Sequence, residues 1–218
     1  MTSSPRTALL VGATGLIGRQ LLTKLLHVPY YDKVIVLTRS SLHIVHTKLT
    51  EIKFNFDKPD ASVVVADDIF CCLGTTIKKA GSKEAFRKVD LEYPLMVAEI
   101  AQRNGAEKFL IVSAMGASKD SSFFYNQVKG EVEEKLISLK YPSIHVFRPS
   151  LLLGNREEAR LGEKMGAIFS SILKPFMMGS LKKYRAVDSA KVANAMLAFA
   201  KKSEKGVFIH ESDALQAF

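Results

Sequence analysis

The sequence predicts an α/β fold, a single domain built on one doubly wound parallel sheet, and three observations carry that reading. Short apolar runs alternate with helical periods almost throughout the 218 residues, as βαβ units require. A glycine-rich turn, Gly12-Ala13-Thr14-Gly15-Leu16-Ile17-Gly18, joins the first apolar run to the first helical period. No internal repeat, low-complexity segment or linker divides the chain, whose length suits one well-buried domain.

The first element is Ala8 to Val11, a buried strand. After the turn, Leu21, Leu22, Leu25 and Leu26 recur at helical spacing. Glycines between strand and helix let the backbone turn tightly and approach a pyrophosphate, and the helix N-terminus offers that anion free N–H groups. The spacing is GxxGxxG, a variant of the GxGxxG fingerprint. Lys33 to Thr38 is the second strand and ends at Arg39. In a doubly wound fold this position faces the adenosine ribose, where an acidic residue selects NAD. Arg39 suits a 2′-phosphate instead, and Arg19, just after the turn, is within reach of the same group. The expected cofactor is therefore NADP(H), with NAD(H) second.

Glu51 to Phe56 reads as an edge strand, and Asp57 after it either accepts from the adenine amino group or serves the turn before Lys58-Pro59. Asp68 to Leu73 is the next strand, followed by Gly74-Thr75-Thr76 at the crevice. Adjacent Cys71 and Cys72 point to opposite faces and form neither a disulfide nor a metal pair. Ser82 caps a short helix, and Pro94 opens another that runs to Asn104 with Gly105 at its end. Lys108 to Val112 is a strand ending at Ser113. Ser121 to Leu139 is helical, with Tyr125 and Lys129 on one face. Ile144 to Phe147 is a strand ending in Arg148-Pro149-Ser150, Asp188 caps a further helix, and Val207 to His210 is the last strand.

Composition narrows the function. Hydrophobic residues make up 47% and charged residues 24%, a globular balance, and no apolar run is long enough to span a membrane. The polar start shows no signal peptide, and two unpaired cysteines fit a reducing cytoplasm, so a cytoplasmic protein is expected. The net charge of +9 is dispersed and no basic cluster is interleaved with aromatics, so nucleic acid is not expected as a partner. His27, His43, His46, His145 and His210 are scattered, without HExxH or an acidic cluster, and no metal site is expected.

Ser113, Tyr125 and Lys129 are the candidate catalytic residues. Hydride transfer to or from a carbonyl needs a proton donor or acceptor at the oxygen, and a tyrosine of pKa about 10 is a poor base at neutral pH. A lysine ammonium one helical turn away favours the phenolate and can hold ribose hydroxyls, and a strand-end serine can orient the substrate oxygen.

GATGLIG, the strand-end serine and the YNQVK segment resemble the short-chain dehydrogenase/reductase superfamily. The GxxGxxG spacing is similar to its atypical, NmrA-like members. FCCLGTT, FYNQVKGEVEEKL and VFRPSLLLGNREEARLGE resemble the Tat-interacting-protein branch and its bacterial relatives. The resemblance covers nearly the whole chain. It implies a Rossmann-like sheet holding NADP(H) across Gly12, Thr14, Gly15, Leu16, Ile17 and Gly18, with Arg39 at the 2′-phosphate and Leu73 and Gly74 along the cofactor. It places Tyr125 and Lys129 at the nicotinamide, followed by Arg148, Pro149, Ser150 and Leu151. The superfamily's catalytic asparagine has no clear match, and Asp90 is the nearest polar candidate. Members of this branch have been described both as oxidoreductases and as cofactor-binding regulators.

Residues 151–186 form a short C-terminal portion expected to cover the active site. Its Met-rich stretch, Leu161 to Met178, reads as a core helix, as a mobile lid over an apolar substrate, or as an amphipathic patch for a partner or an anionic membrane. The expected function is hydride transfer between NADP(H) and a small carbonyl or alcohol, in a monomer or homodimer. The alternative is an NADP(H)-binding regulator or scaffold.

Overall fold

The computed structural model describes residues 5–153 and 185–218. The Met-rich stretch, and with it most of the expected covering portion, lies outside them. Seven parallel strands form one sheet in the order β3-β2-β1-β4-β5-β6-β9. These are β1 (Thr7–Val11), β2 (Lys33–Thr38), β3 (Leu49–Lys53), β4 (Asp68–Cys71), β5 (Lys108–Val112), β6 (Ser143–Arg148) and β9 (Gly206–Glu211). Two short strands, β7 (Leu152–Leu153) and β8 (Val187–Asp188), pair with each other beside it. The doubly wound α/β Rossmann-like expectation is met.

The strands read as near-continuous apolar runs because both faces are covered. Successive side chains alternate between the faces, so Leu9, Val11, Ile69 and Cys71 join one core while Ala8, Leu10 and Phe70 join the other. Helices α1 (Leu16–His27) and α6 (Ser189–Ala200) pack on the second core. Helices α3 (Lys83–Arg87), α4 (Tyr93–Arg103) and α5 (Phe124–Ser138) cover the first, with α2 (Ile77–Ala80) preceding them and α7 (Ser212–Leu215) closing the chain. Cys71 and Cys72 thus enter opposite cores, both as free thiols.

Two boundaries differ from expectation. The edge strand is Leu49–Lys53, not Glu51 to Phe56, because beyond Lys53 the chain turns Phe54 and Phe56 into the core. Pro94 stands in the first turn of α4, as expected, but no break in the helix precedes it. The chain is helical from Lys83, and a wide π turn, Lys88–Glu92, joins α3 to α4. Its signature is the Tyr93 N–H, which donates to the Lys88 carbonyl five residues back. Proline lacks the next N–H, and its ring would clash with the carbonyl of residue 90 in a regular helix, which widening the turn relieves. Ser82 and Asp188 cap their helices as expected, accepting from Ala85 N–H at 3.1 Å and Ala190 N–H at 2.8 Å.

Candidate active site at the carboxyl ends of the strands

Strand order reverses between β1 and β4, and ligands of open α/β sheets bind in the crevice at such a point. The glycine turn sits there. Gly12 has φ +82°, and a Cβ on it would lie 2.4 Å from the Cys72 carbonyl oxygen. A Cβ on Gly18 would lie 2.1 Å from the Gly12 carbonyl oxygen, so Gly18 lets α1 press directly on the turn. Gly15 is the N-cap of α1 and supplies no side-chain cap, which leaves the first N–H groups of the helix, at Leu16 and Ile17, without an intrahelical acceptor. This cradle fits an anionic pyrophosphate. The Arg19 side chain folds back across the turn, its Nε donating to the Thr14 carbonyl at 3.1 Å.

Beyond the end of β2 lies a cavity of about 500 Å³ lined by Arg39, Lys53, Phe54, Asn55, Phe56, Asp57 and Tyr93. The structure thus brings Arg39 and Asp57 to one pocket, and adds Lys53 and Tyr93. The Lys88 ammonium, 2.7 Å from Asp57, and the Tyr93 hydroxyl, donating to it at 2.8 Å, hold the Asp57 carboxyl below its usual range. Among the described residues no carboxylate pairs with Arg39 or Lys53, so the pocket keeps a net positive charge.

Helix α5 builds the other end. Tyr125 stands in its first turn, 38% exposed, with its ring against Phe86. Lys129, one turn on, is buried, and its Nζ lies 2.8 Å from Asp90 Oδ1. Asp90 comes from the π turn, and its other oxygen accepts the Thr75 N–H at 2.9 Å. Burial pulls the Lys129 ammonium toward losing its proton. The Asp90 carboxylate first, with a smaller coulombic contribution from Tyr125, more than offsets this, so Lys129 titrates above the ordinary lysine value.

The structure places Ser113 differently from Tyr125. It is buried, and its hydroxyl donates to Glu133, a buried carboxylate four residues beyond Lys129 on α5. Arg148 closes the same cluster, donating from Nε to Glu133 at 3.1 Å and from Nη1 to Glu211 at 3.0 Å. Pro149 accepts the Met115 N–H at 3.0 Å, and Ser150 accepts from Ser212 at 2.9 Å and donates to the Arg185 carbonyl. Ser113, Arg148, Pro149 and Ser150 therefore tie β5, α5, β6 and β9 together, while Leu73 and Gly74 run from β4 along the crevice.

Sequence reasoning missed Glu133, Lys53 and Tyr93. Glu133 carried a signal: it follows Tyr125 and Lys129 at spacings of eight and four, on a face that enters the protein, where a carboxylate must be paired. Lys53 and Tyr93 carried none, because the folding of the chain after β3 makes their pocket. Among the described residues no group of three or more histidines, cysteines or carboxylates is placed to hold a metal.

Comparison with known proteins bears on the fold and the family. Residues 8–209 match the family model of the NAD dependent epimerase/dehydratase family. Protein HTATIP2 of Rattus norvegicus is 39% identical over 170 residues, 75% of this chain and 70% of that protein. The mitochondrial protein FMP52 of Candida albicans is 32% identical over 206 residues, 90% of this chain and 89% of that protein. Among solved structures, MoeE5 in complex with UDP-glucose and NAD superposes with a TM-score of 0.72 at 15% identity, covering 93% of this chain and 74% of that one. UDP-glucose 4-epimerase of Thermotoga maritima gives 0.68 at 18% identity, covering 94% and 76%. These likenesses bear on the fold.

The relatives correct one expectation. The FMP52 proteins of Candida albicans and Emericella nidulans are named mitochondrial, which overturns the cytoplasmic reading. Unpaired buried cysteines mark a reducing environment and do not distinguish one such compartment from another. No helix of the described residues is long and apolar enough to cross a membrane. The chain belongs to the NAD dependent epimerase/dehydratase family, and its likeness to HTATIP2 and the FMP52 proteins fits the atypical short-chain dehydrogenase/reductase branch.

Proposed function

We propose that this member of the NAD dependent epimerase/dehydratase family is an NADP(H)-dependent oxidoreductase that moves hydride between the cofactor and a small carbonyl or alcohol. The observation that carries the reading is the pairing on α5 of a half-exposed Tyr125 with a buried, charged Lys129 one turn away, beside the glycine cradle. A bound nicotinamide dinucleotide would supply or accept the hydride. The NAD in the MoeE5 structure supports a ligand of this class. Arg39 and Lys53 in the pocket beyond β2, where NAD-selective sites carry an acid, favour the 2′-phosphate of NADP.

In this reading Gly12, Thr14, Gly15, Leu16, Ile17 and Gly18 hold the pyrophosphate, and Asp57 receives the adenine amino group. Leu73 and Gly74 lie along the cofactor, Gly74 presenting bare backbone to it. Tyr125 gives a proton to the substrate oxygen in reduction and takes it in oxidation, and Lys129 lowers the cost of the phenolate through its positive charge. Ser113 enters the centre by orienting the substrate oxygen only on leaving Glu133.

That last point favours a second reading, an NADP(H)-binding regulator with little turnover, since the Ser113 hydroxyl is committed to a buried carboxylate. One experiment tests the cofactor common to both readings, and a second separates them. Calorimetric titration with NADPH and NADH should show tight NADPH and weak NADH binding; comparable affinities would remove Arg39 as the selector. Tyr125→Phe should then lower turnover of a carbonyl substrate by about 10²–10⁴-fold with NADPH affinity unchanged. Turnover unaffected by Tyr125→Phe would reject the mechanism.

A further inference from the structure

The π turn at Lys88–Glu92 is shaped to deliver one side chain. Its extra width rotates Asp90 inward, so that a carboxylate only 1% exposed reaches Lys129 Nζ at 2.8 Å. Lys129 is itself 4% exposed. The other titratable groups facing Lys129 are the Tyr125 hydroxyl from the same helix and the Cys71 thiol from β4, which burial pushes up to about 12. Charges on the neighbouring elements are engaged elsewhere. Arg87 bonds Glu131 at 2.7 Å, Lys88 pairs with Asp57, and Glu133 pairs with Arg148.

We propose that Asp90 is the positioning residue of the proton-transfer centre: its carboxylate is the counter-charge that keeps Lys129 an ammonium in a buried site. The proposal rests on the reading of Tyr125 and Lys129 as that centre. An ammonium taken out of water with no anion beside it gives up its proton, and a neutral lysine no longer favours the tyrosine phenolate. An asparagine at position 90 would offer a dipole and no charge, so the acid is functionally distinct from the superfamily's asparagine. Asp90 is held in turn by the Thr75 N–H, which fixes the carboxylate against the Gly74-Thr75 strand end. Gly74 carries no side chain over the pair: a Cβ there would sit 3.5 Å from Asp90 Oδ1 and 3.9 Å from Lys129 Nζ. The ammonium is thereby approachable from the crevice across bare backbone while its charge is maintained from below.

The test follows the Lys129 side chain directly, without turnover. Protein labelled with ¹³C at lysine Cε is titrated by NMR, and Lys129 is assigned by the signal lost in Lys129→Met. In the wild type, Lys129 should remain protonated to about pH 10 or beyond, the ordinary lysine range. In Asp90→Asn, which keeps an acceptor for Thr75, its midpoint should fall by about one pH unit or more, and the alkaline limb of any turnover profile should fall with it. A smaller fall would overturn the proposal and leave Asp90 as a structural brace of the Thr75 turn. If Asp90→Asn does not fold, the wild-type titration decides: a Lys129 midpoint below about pH 10 would equally overturn it. Because the NMR midpoint is read on the free protein, it can succeed where the oxidoreductase reading fails, and the two failures remain distinguishable.

Discussion

The two ends of the sheet are built from similar residue types and do opposite things with them. At the amino ends of β1, β4 and β5 the charges are paired with one another: Asp68 is fully buried and accepts from the Tyr31 hydroxyl at 2.6 Å and from Arg6 at 2.9 Å. Lys108 there donates to the carbonyls of Ala200 and Lys202. At the carboxyl ends, glycines replace side chains, α1 leaves N–H groups uncapped, and Arg39 faces a cavity with no carboxylate paired to it. Satisfied polar groups hold a fold together, and groups left without partners hold a ligand. The Asp90–Lys129 pair departs from the pattern, as do the Arg148–Glu133 and Lys88–Asp57 pairs: each is a closed pair inside the open end.

The largest effect that would sharpen this contrast comes from the closed end. Asp68→Ala strands Arg6 and the Tyr31 hydroxyl, and should cost about 3–5 kcal/mol, seen as a Tm lower by roughly 6–20 °C. NADPH affinity, by calorimetry, should not change. A cofactor defect in that variant would show that the two ends are not independent.

Between the ends, His145 and His210 stack in a cluster with Phe147 and Phe199 and share a hydrogen bond of 3.0 Å. Burial, and for His145 also its neighbour, holds both near a pKa of about 4. Both are neutral in the fold, whereas the unfolded chain binds protons below about pH 6.5. Their contribution to stability is thus complete above about pH 6.5 and is lost as pH falls toward 4, by a few kcal/mol for the pair. Urea denaturation at pH 7 and pH 4.5 measures the loss, and His210→Gln should make it smaller.

Gly18→Ala tests the open end for packing, since its Cβ would strike the Gly12 carbonyl. It should cost about 1–3 kcal/mol by thermal denaturation and abolish cofactor binding, joining the two roles that the ends otherwise separate. Arg39→Ala should have the smallest effect, weakening NADPH about tenfold, or about 1.4 kcal/mol, and leaving NADH affinity and Tm unchanged. A Tm loss there would mean that Arg39 is structural after all.

The features legible in the sequence were those carried by neighbours in the chain. Glycine spacing reports a local turn, alternating periods report strands and helices, and a Y-x-x-x-K pair reports one helical face. Tyr125 and Lys129 were found in this way. Glu133 shared their face and was passed over, because nothing local says that its partner is Arg148. Asp90 was noticed as a polar residue in the right region, yet its pairing with Lys129 depends on a turn whose width Pro94 imposes. A proline's commoner use is to stand at a helix start, and Pro94 does so here with a helical turn already in front of it.

By itself, then, the sequence determined the alternation of elements, the glycine cradle, the cation after β2 and the helical register of the tyrosine and lysine, because each depends on residues a few positions apart. Tertiary structure decided which charges face partners and which face space. It put Asp90 under Lys129 and Ser113 on Glu133, and gathered Arg39, Lys53, Asp57 and Tyr93 around one cavity. Burial and pairing are properties of surfaces that meet only when the chain has folded, and the charge state of a site follows from them.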